Sequence, residues 1–175
     1  METHELNNRP AAPAPASEID SVKLQMTIQQ LKDNQNLPFA LLGGAAAALV
    51  GAVLWAVVTA VTNWQIGFMA VGVGFLVGLA VRKLGQGVSI SFGVIGAVFS
   101  LAGCVLGNYL ANCSIIAAQQ NMSILDVLKQ VDFKIAVDIM VQVFHPMDAL
   151  FYVIAIYYGY KYSFKTLALE KPKAA

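Results

Sequence analysis

The stretch PFALLGGAAAALVGAVLWAVVTAVT, residues 38–62, decides the fold of this chain, because it contains no charged residue. At about 1.5 Å of rise per helical residue, the run exceeds a hydrocarbon core of roughly 30 Å. Pro38 suits the first turn of a helix, since its missing N–H would have no intrahelical partner there. The run therefore predicts a transmembrane helix.

Three further apolar runs indicate more spans. Arg82 and Lys83 close the second run, and Trp64 before it suits the headgroup region, where indole rings are enriched. The fourth run is tyrosine-rich, and its strictly apolar part is short, so the sequence leaves open whether it fully crosses. The predicted fold class is all-α, an integral membrane bundle of four transmembrane helices, at 38–62, 65–81, 88–111 and 147–164.

Residues 123–144 have a different pattern of polar and apolar residues from the four apolar runs. Apolar residues surround one polar stripe in which every fourth residue is polar: Asp126, Gln130, Lys134, Asp138 and Gln142. Ser123 fits an N-cap. We predict one amphipathic helix at the membrane interface or against the bundle, because spanning would bring three carboxylates and two lysines into hydrocarbon.

Composition excludes several other classes of protein. The chain is 58% hydrophobic and 12% charged, whereas soluble domains average about 25% charged residues. Eleven basic and ten acidic residues nearly cancel, so no net field attracts nucleic acid. Residues 1–17 are rich in proline and alanine and predict a disordered tail, while 18–37 fit either an amphipathic segment or a solvated one. Cys104 and Cys113 cannot form a disulfide framework.

The placement of lysine and arginine predicts the orientation. With four spans, both tails and the second loop share one side of the membrane. That side holds nine basic residues, and the other holds only Lys129 and Lys134. By the positive-inside rule both termini are cytoplasmic, with a transmembrane domain over 38–167 and a cytoplasmic tail at 168–175.

Small residues recur at helical spacing within the spans. Spacings of three and four place them on one face of each helix, where they let a neighbouring backbone approach closely. We interpret this pattern mainly as packing within the chain, and a homo-oligomer or a membrane-protein partner stays open. The residues predicted to pack helices are Gly43, Gly51, Gly67, Gly74, Gly78, Gly96, Ser100, Gly103 and Gly107.

Few residues suggest a catalytic site, a metal site or a polar path through the membrane. Asn108 and Asn112 lie one turn apart in the third span, where they either bond a neighbouring helix or line a polar path. Asp138, His145 and Asp148 form the one cluster that resembles a catalytic or metal site. We favour polar surface positions for the first two and the N-terminus of the last helix for Asp148. The chain lacks common hydrolase and nucleotide motifs. We therefore expect no cofactor, no metal and no enzymatic activity.

Four blocks of the chain look familiar: residues 36–44 (NLPFALLGG), 65–78 (QIGFMAVGVGFLVG), 92–98 (FGVIGAV) and 148–152 (DALFY). Over about 34–165 the chain resembles an uncharacterised family of small bacterial multi-span membrane proteins. Some members carry a soluble amino-terminal module such as a zinc ribbon, and here a Pro/Ala tail stands in its place. The resemblance implies the bacterial cytoplasmic (inner) membrane, and it brings no activity or metal role.

The sequence leaves three functional hypotheses. The first is a non-enzymatic accessory or scaffold component of a membrane complex, whose partners are the bilayer and a membrane protein or a second copy. The second is a small oligomeric channel or transporter subunit, with Asn108, Asn112 and Asp138 near a polar path. The third, an intramembrane enzyme, would require Asp138, His145 or Asp148 to act on a substrate.

Overall fold

A computed structural model describes residues 16–62, 64, 67–131, 133–143 and 145–164. This part of the chain contains helices and no strand, which confirms the all-α prediction. The predicted tails 1–17 and 168–175 fall almost wholly outside it. The helices are α1 (Ala16–Asp33), α2 (Leu37–Thr62), α3 (Met69–Gly85), α4 (Ile90–Gln120), α5 (Ile124–Gln130), α6 (Phe133–Val143) and α7 (Pro146–Tyr162).

Helices α2, α3, α4 and α7 pack side by side and are called the bundle below. In the described part, α3 and α4 contact each other and both outer helices, whereas α2 and α7 do not touch. Val73 lies against Gly51 and Leu84 against Gly43, so α3 runs antiparallel to α2. Ala48 lies against Gly103, and α4 runs parallel to α2.

The bundle has two ends. At the Gly85 end, α2 begins beside the last turn of α3, and the Asn36 N–H donates to the Gly85 carbonyl at 2.9 Å. The end of α7 lies there too, because Tyr160 packs against Gly93 near the start of α4. At the opposite Asn121 end, α5 and α6 connect α4 to α7. The beginning of α2 and the end of α7 are therefore at the same end.

Small residues fill the interior of the bundle, and large apolar residues cover its outside. Ala40, Ala52, Ala70 and Ala155 are fully buried. By contrast, Val61 is 78% exposed, and many other large side chains on all four helices are exposed, among them Leu42, Val50, Phe68, Phe75, Ile90, Val98, Leu150 and Val153. Close approach of the backbones thus builds most of the core, and the buried side chains of Trp55, Phe92 and three valines of α3 fill the rest.

Two helices of the described chain, α2 and α4, are long and apolar enough to cross a membrane. They have 26 and 31 residues, and the most apolar 18-residue stretches within them have mean hydropathies of 2.3 and 2.1. Only 39% of the most apolar stretch of each is buried, which differs from the mostly buried central helix of a soluble protein. Helices α3 and α7 have 17 residues each, or about 25 Å of helix.

The observed helix bounds agree closely with the first predicted span and differ elsewhere. Helix α4 continues to Gln120 instead of ending near residue 111. The side chains of Asn112 and Ser114 bond back to carbonyls one turn earlier, at 3.0 and 2.9 Å, so these polar residues are accommodated inside the helix. The helix ends where Asn121 adopts a left-handed conformation, with φ of 55°.

The second predicted span, 65–81, is shifted along the chain. Gly67 and Phe68 form a turn, and α3 begins at Met69. The helix continues through Arg82 and Lys83 to Gly85, where Gln86 ends it with φ of 48°. Basic residues in the last turn interact favourably with the negative end of the helix dipole, so Arg82 and Lys83 are compatible with a helix that continues to Gly85.

The predicted amphipathic helix over 123–144 is two helices, α5 and α6. Ser123 caps α5 as expected, because its hydroxyl accepts the Leu125 N–H at 3.4 Å. Val131 then takes an extended conformation, with φ of −90° and ψ of 101°, and this interrupts the helical hydrogen bonds. The five polar residues of the stripe therefore do not lie along one continuous helix face. Helix α1 occupies most of segment 18–37 and contacts no other described element.

Candidate functional site

The two asparagines of α4 form the buried polar centre of the bundle. Asn108 is 3% exposed and Asn112 is 5% exposed. The Asn112 Nδ2 donates to Asn108 Oδ1 at 2.9 Å, and the Asn108 Nδ2 donates to the Tyr152 hydroxyl of α7 at 3.0 Å. The Tyr152 hydroxyl in turn donates to the Cys104 carbonyl at 3.3 Å. We call Cys104, Asn108, Asn112 and Tyr152 the polar row.

The polar row joins three helices of the bundle. Tyr152 connects α7 to α4, and the Cys104 thiol donates weakly to the Ala70 carbonyl of α3 at 3.7 Å. An amide inside an apolar bundle loses free energy unless it finds such partners. The sequence predicted that the asparagines would bond a neighbouring helix or line a path, and here they bond α7 through a tyrosine.

Four other buried side-chain polar atoms have no hydrogen-bond partner within the described structure: Gln35 Nε2, Trp55 Nε1, Thr59 Oγ1 and Ser100 Oγ. Trp55 packs its ring against Gly107 of α4. An unpaired buried donor costs about 1–3 kcal/mol, whereas truncating a buried tryptophan costs about 3–5 kcal/mol. Packing of the indole ring therefore outweighs its unpaired N–H.

The nine residues predicted to pack helices all lie at contacts within this chain. Gly43 and Gly51 on α2 face α3. Gly67, in the turn before α3, and Gly74 and Gly78 on α3 face α7. On α4, Gly96 and Ser100 face α7, Gly107 faces α2, and Gly103 faces both α2 and α3. The contacts are Gly43 with Leu84, Gly51 with Val73, Gly67 with Phe151, Gly74 with Ala155, Gly78 with Tyr162, Gly96 with Ser163, Ser100 with Gly159, Gly103 with Ala48 and Gly107 with Trp55.

The closest approach joins α7 to its two neighbours. A Cβ on Gly74 would lie 2.7 Å from the Ala155 Cα, and one on Gly159 would meet Ser100. The Ser163 hydroxyl donates to the Gly159 carbonyl at 2.6 Å. Sequence reasoning missed Ala155, Gly159 and Ser163, although their regular spacing of four residues is the same signal that it used in the other spans.

The cluster of Asp138, His145 and Asp148 is not brought together as a site. The His145 backbone N–H donates to the Asp148 carboxylate at 3.0 Å, so these two residues begin α7 as an N-terminal cap. Asp138 lies exposed on α6. Among the described residues no three His, Cys, Asp or Glu side chains are grouped so as to hold a metal ion.

Two apolar grooves follow the outer seam between α2 and α4. The larger has a volume of about 510 Å³, and α5 closes it at the Asn121 end. The Ser114 hydroxyl in its wall is bonded to the Leu110 carbonyl, so the wall offers no free polar group of its own. Residues lining the larger groove are Val53, Ala56, Val57, Ala60, Leu110, Ser114, Ala117, Ala118 and Ile124.

Comparisons of the chain with protein-family models, curated proteins and solved structures found no match. The geometry defines an all-helical protein with two helices long and apolar enough to cross a membrane. Its distinctive residues are small side chains at helix contacts and a hydrogen-bonded polar row between α4 and α7.

Proposed function

We propose that this chain is an integral membrane protein in which all four bundle helices cross the bilayer. The exposed apolar side chains on α3 and α7, such as Phe75 and Val153, support this for the two shorter helices. Seventeen residues lie at the lower limit of the length that spans a membrane. Helix α3 packs lengthwise against α2 and α4, and α7 packs lengthwise against α3 and α4. Because neighbouring helices run in alternating directions, all four lie at the same depth in the bilayer.

The proposed orientation has the Gly85 end in the cytoplasm of a bacterial cell. Arg82, Lys83 and Lys161 lie in the last turns of α3 and α7 at that end. At the Asn121 end, Lys129 and Lys134 are accompanied by Asp126 and a second acid on α6. The positive-inside rule, which counts lysine and arginine, favours this direction.

The proposed role is that of a non-enzymatic accessory or scaffold component of a membrane complex. The observation that carries this proposal is that the specialised residues serve helix packing: the nine predicted packing residues all lie at contacts within the chain, and the polar row is bonded internally. The surface that remains for a partner is α6, which has exposed Ile135, Val137 and Val141 beside exposed Lys134 and Asp138.

A photocrosslinking residue at Val141 tests the scaffold proposal. Val141 is 71% exposed on α6, and Leu42, 68% exposed on the outside of α2, is the matched control. The proposal expects a discrete crosslinked protein from position 141 and none from position 42 in growing cells. If neither position crosslinks and the chain is monomeric in mild detergent, the scaffold role is refuted.

The buried amides of the polar row favour a second candidate, an oligomeric channel or transporter subunit. The interior of one bundle is closed by glycine and alanine contacts, so a path would have to form between copies. Ion or solute flux in liposomes that is unchanged by Asn108→Leu and by Asp138→Asn would remove this candidate.

A further inference from the structure

An aromatic seam lies on the outside of the bundle, between α3 and α7 at the Gly85 end. The rings of Phe75 and Tyr162 meet edge to face at a centroid distance of 5.0 Å. Tyr158 stacks on Tyr162 at 5.6 Å, with 20° between the planes, and Tyr157 meets Tyr158 at 5.7 Å. We call these four residues the aromatic seam.

One cationic side chain contacts the aromatic seam, and helix spacing places a second beside it. The Lys161 Nζ lies 5.4 Å from the centre of the Tyr157 ring, within the range of a cation–π contact. On α3, a Cβ on Gly78 would lie 2.9 Å from the Tyr162 Cβ, so this face of α3 packs on the seam. Arg82 follows Gly78 by four residues and so continues the same face one turn further.

The positive charge at the seam has no acidic counterpart on these helices. The only acidic residue on α3 or α7 is Asp148, which caps α7 at the opposite end of the bundle. The seam is also open to the outside, because Phe75 is 45% exposed and Tyr157 is 54% exposed. Basic side chains beside exposed aromatic rings suit an anionic partner that also has an apolar part.

We infer that the aromatic seam, with Arg82 and Lys161, binds an anionic phospholipid of the cytoplasmic leaflet; this inference rests on the proposed membrane function. The guanidinium of Arg82 and the ammonium of Lys161 bind the phosphate-bearing headgroup. An acyl chain of the same lipid lies along Phe75. Aromatic rings at headgroup depth are amphipathic and fit this boundary.

Native mass spectrometry of the full chain in mild detergent tests the inference. The probes are phosphatidylglycerol and phosphatidylcholine with the same acyl chains, each titrated into the protein. The test variant is Arg82→Gln with Lys161→Gln. The matched control is Lys129→Gln with Lys134→Gln, which removes the same charge at the Asn121 end.

Each basic residue near an anionic lipid contributes about a fivefold gain in binding. The test variant should therefore bind phosphatidylglycerol about 25-fold more weakly, whereas the control should change less than twofold. Equal losses in both variants, or no preference over phosphatidylcholine in the unchanged chain, would overturn the lipid site. Displacement of the lipid by an equimolar amount of glycerol phosphate would overturn it too, because the acyl chains would then add nothing to binding. A chain that stays soluble and monodisperse without detergent would instead overturn the proposed membrane function.

Discussion

The contact between Gly74 and Ala155 permits a quantitative test of how the bundle is held together. In Gly74→Ala the new Cβ would lie 2.7 Å from the Ala155 Cα and 2.9 Å from its carbonyl carbon. Nonbonded carbons prefer about 3.5–4.0 Å. Because the obstacle is backbone rather than a movable side chain, α3 and α7 must separate by roughly 1 Å.

Gly72→Ala is the matched control for this change. Gly72 lies in the same helix, and a Cβ there would have nothing within 4 Å. Both variants gain the same helix propensity, about 0.5–1 kcal/mol, so their difference isolates the steric cost. Overpacking typically costs about 1–3 kcal/mol. Because the new Cβ of Gly74→Ala meets the backbone of Ala155, which cannot move aside easily, we expect a cost of about 2–3 kcal/mol for this variant.

The assay is reversible unfolding in mixed micelles, with the mole fraction of SDS titrated and helicity followed by far-UV circular dichroism. Gly72→Ala should be as stable as the unchanged chain or slightly more so. Gly74→Ala should be less stable than Gly72→Ala by about 2–3 kcal/mol. If the two variants unfold at the same SDS fraction, α7 does not pack on α3 through Gly74, and the fold described here is refuted.

The same titration checks three further changes. Tyr152→Phe removes both the acceptor of the Asn108 amide and the donor to the Cys104 carbonyl, and it should cost about 0.6–2 kcal/mol, the span measured for hydrogen bonds between membrane helices. Trp55→Ala removes the ring that packs between α2 and α4, and it should lower the free energy of unfolding by about 3–5 kcal/mol. A loss of stability smaller than that of Tyr152→Phe would contradict the packing described. Asp148→Ala removes the acceptor of the His145 N–H and should cost about 1 kcal/mol, and an unchanged midpoint would show that the cap is not formed.

The elements that sequence alone could predict were those with uninterrupted patterns. Helix α2 begins and ends within one residue of the predicted 38–62, because Pro38 and a long run without charge define it. The packing faces were also readable, since small residues at spacings of three and four need no knowledge of the partner helix.

Helix ends were predicted less well, because they depend on local hydrogen bonds that composition does not show. Asn112 and Ser114 look like the polar end of a span, yet they bond back within α4 and the helix continues. Val131 has no property in the sequence that distinguishes it from its apolar neighbours, yet its backbone separates α5 from α6.

The partner of the asparagines could not be predicted at all. Tyr152 lies 44 residues after Asn108 along the chain, and the two meet only because α7 packs antiparallel on α4. In the sequence, the tyrosines of the fourth apolar run suit a membrane interface as well as a core. Only the pairing of helices shows that the Tyr152 hydroxyl is turned into the bundle and bonded there.

Labelling of single cysteines with a membrane-impermeant maleimide in intact cells distinguishes four crossings from two. The native Cys104 and Cys113 are buried and should give a low background. If all four helices cross, Trp64→Cys should be labelled at once, and Gln86→Cys only after the membrane is permeabilised. Labelling of both positions in intact cells would mean that α3 does not cross, and it would contradict the membrane arrangement proposed here.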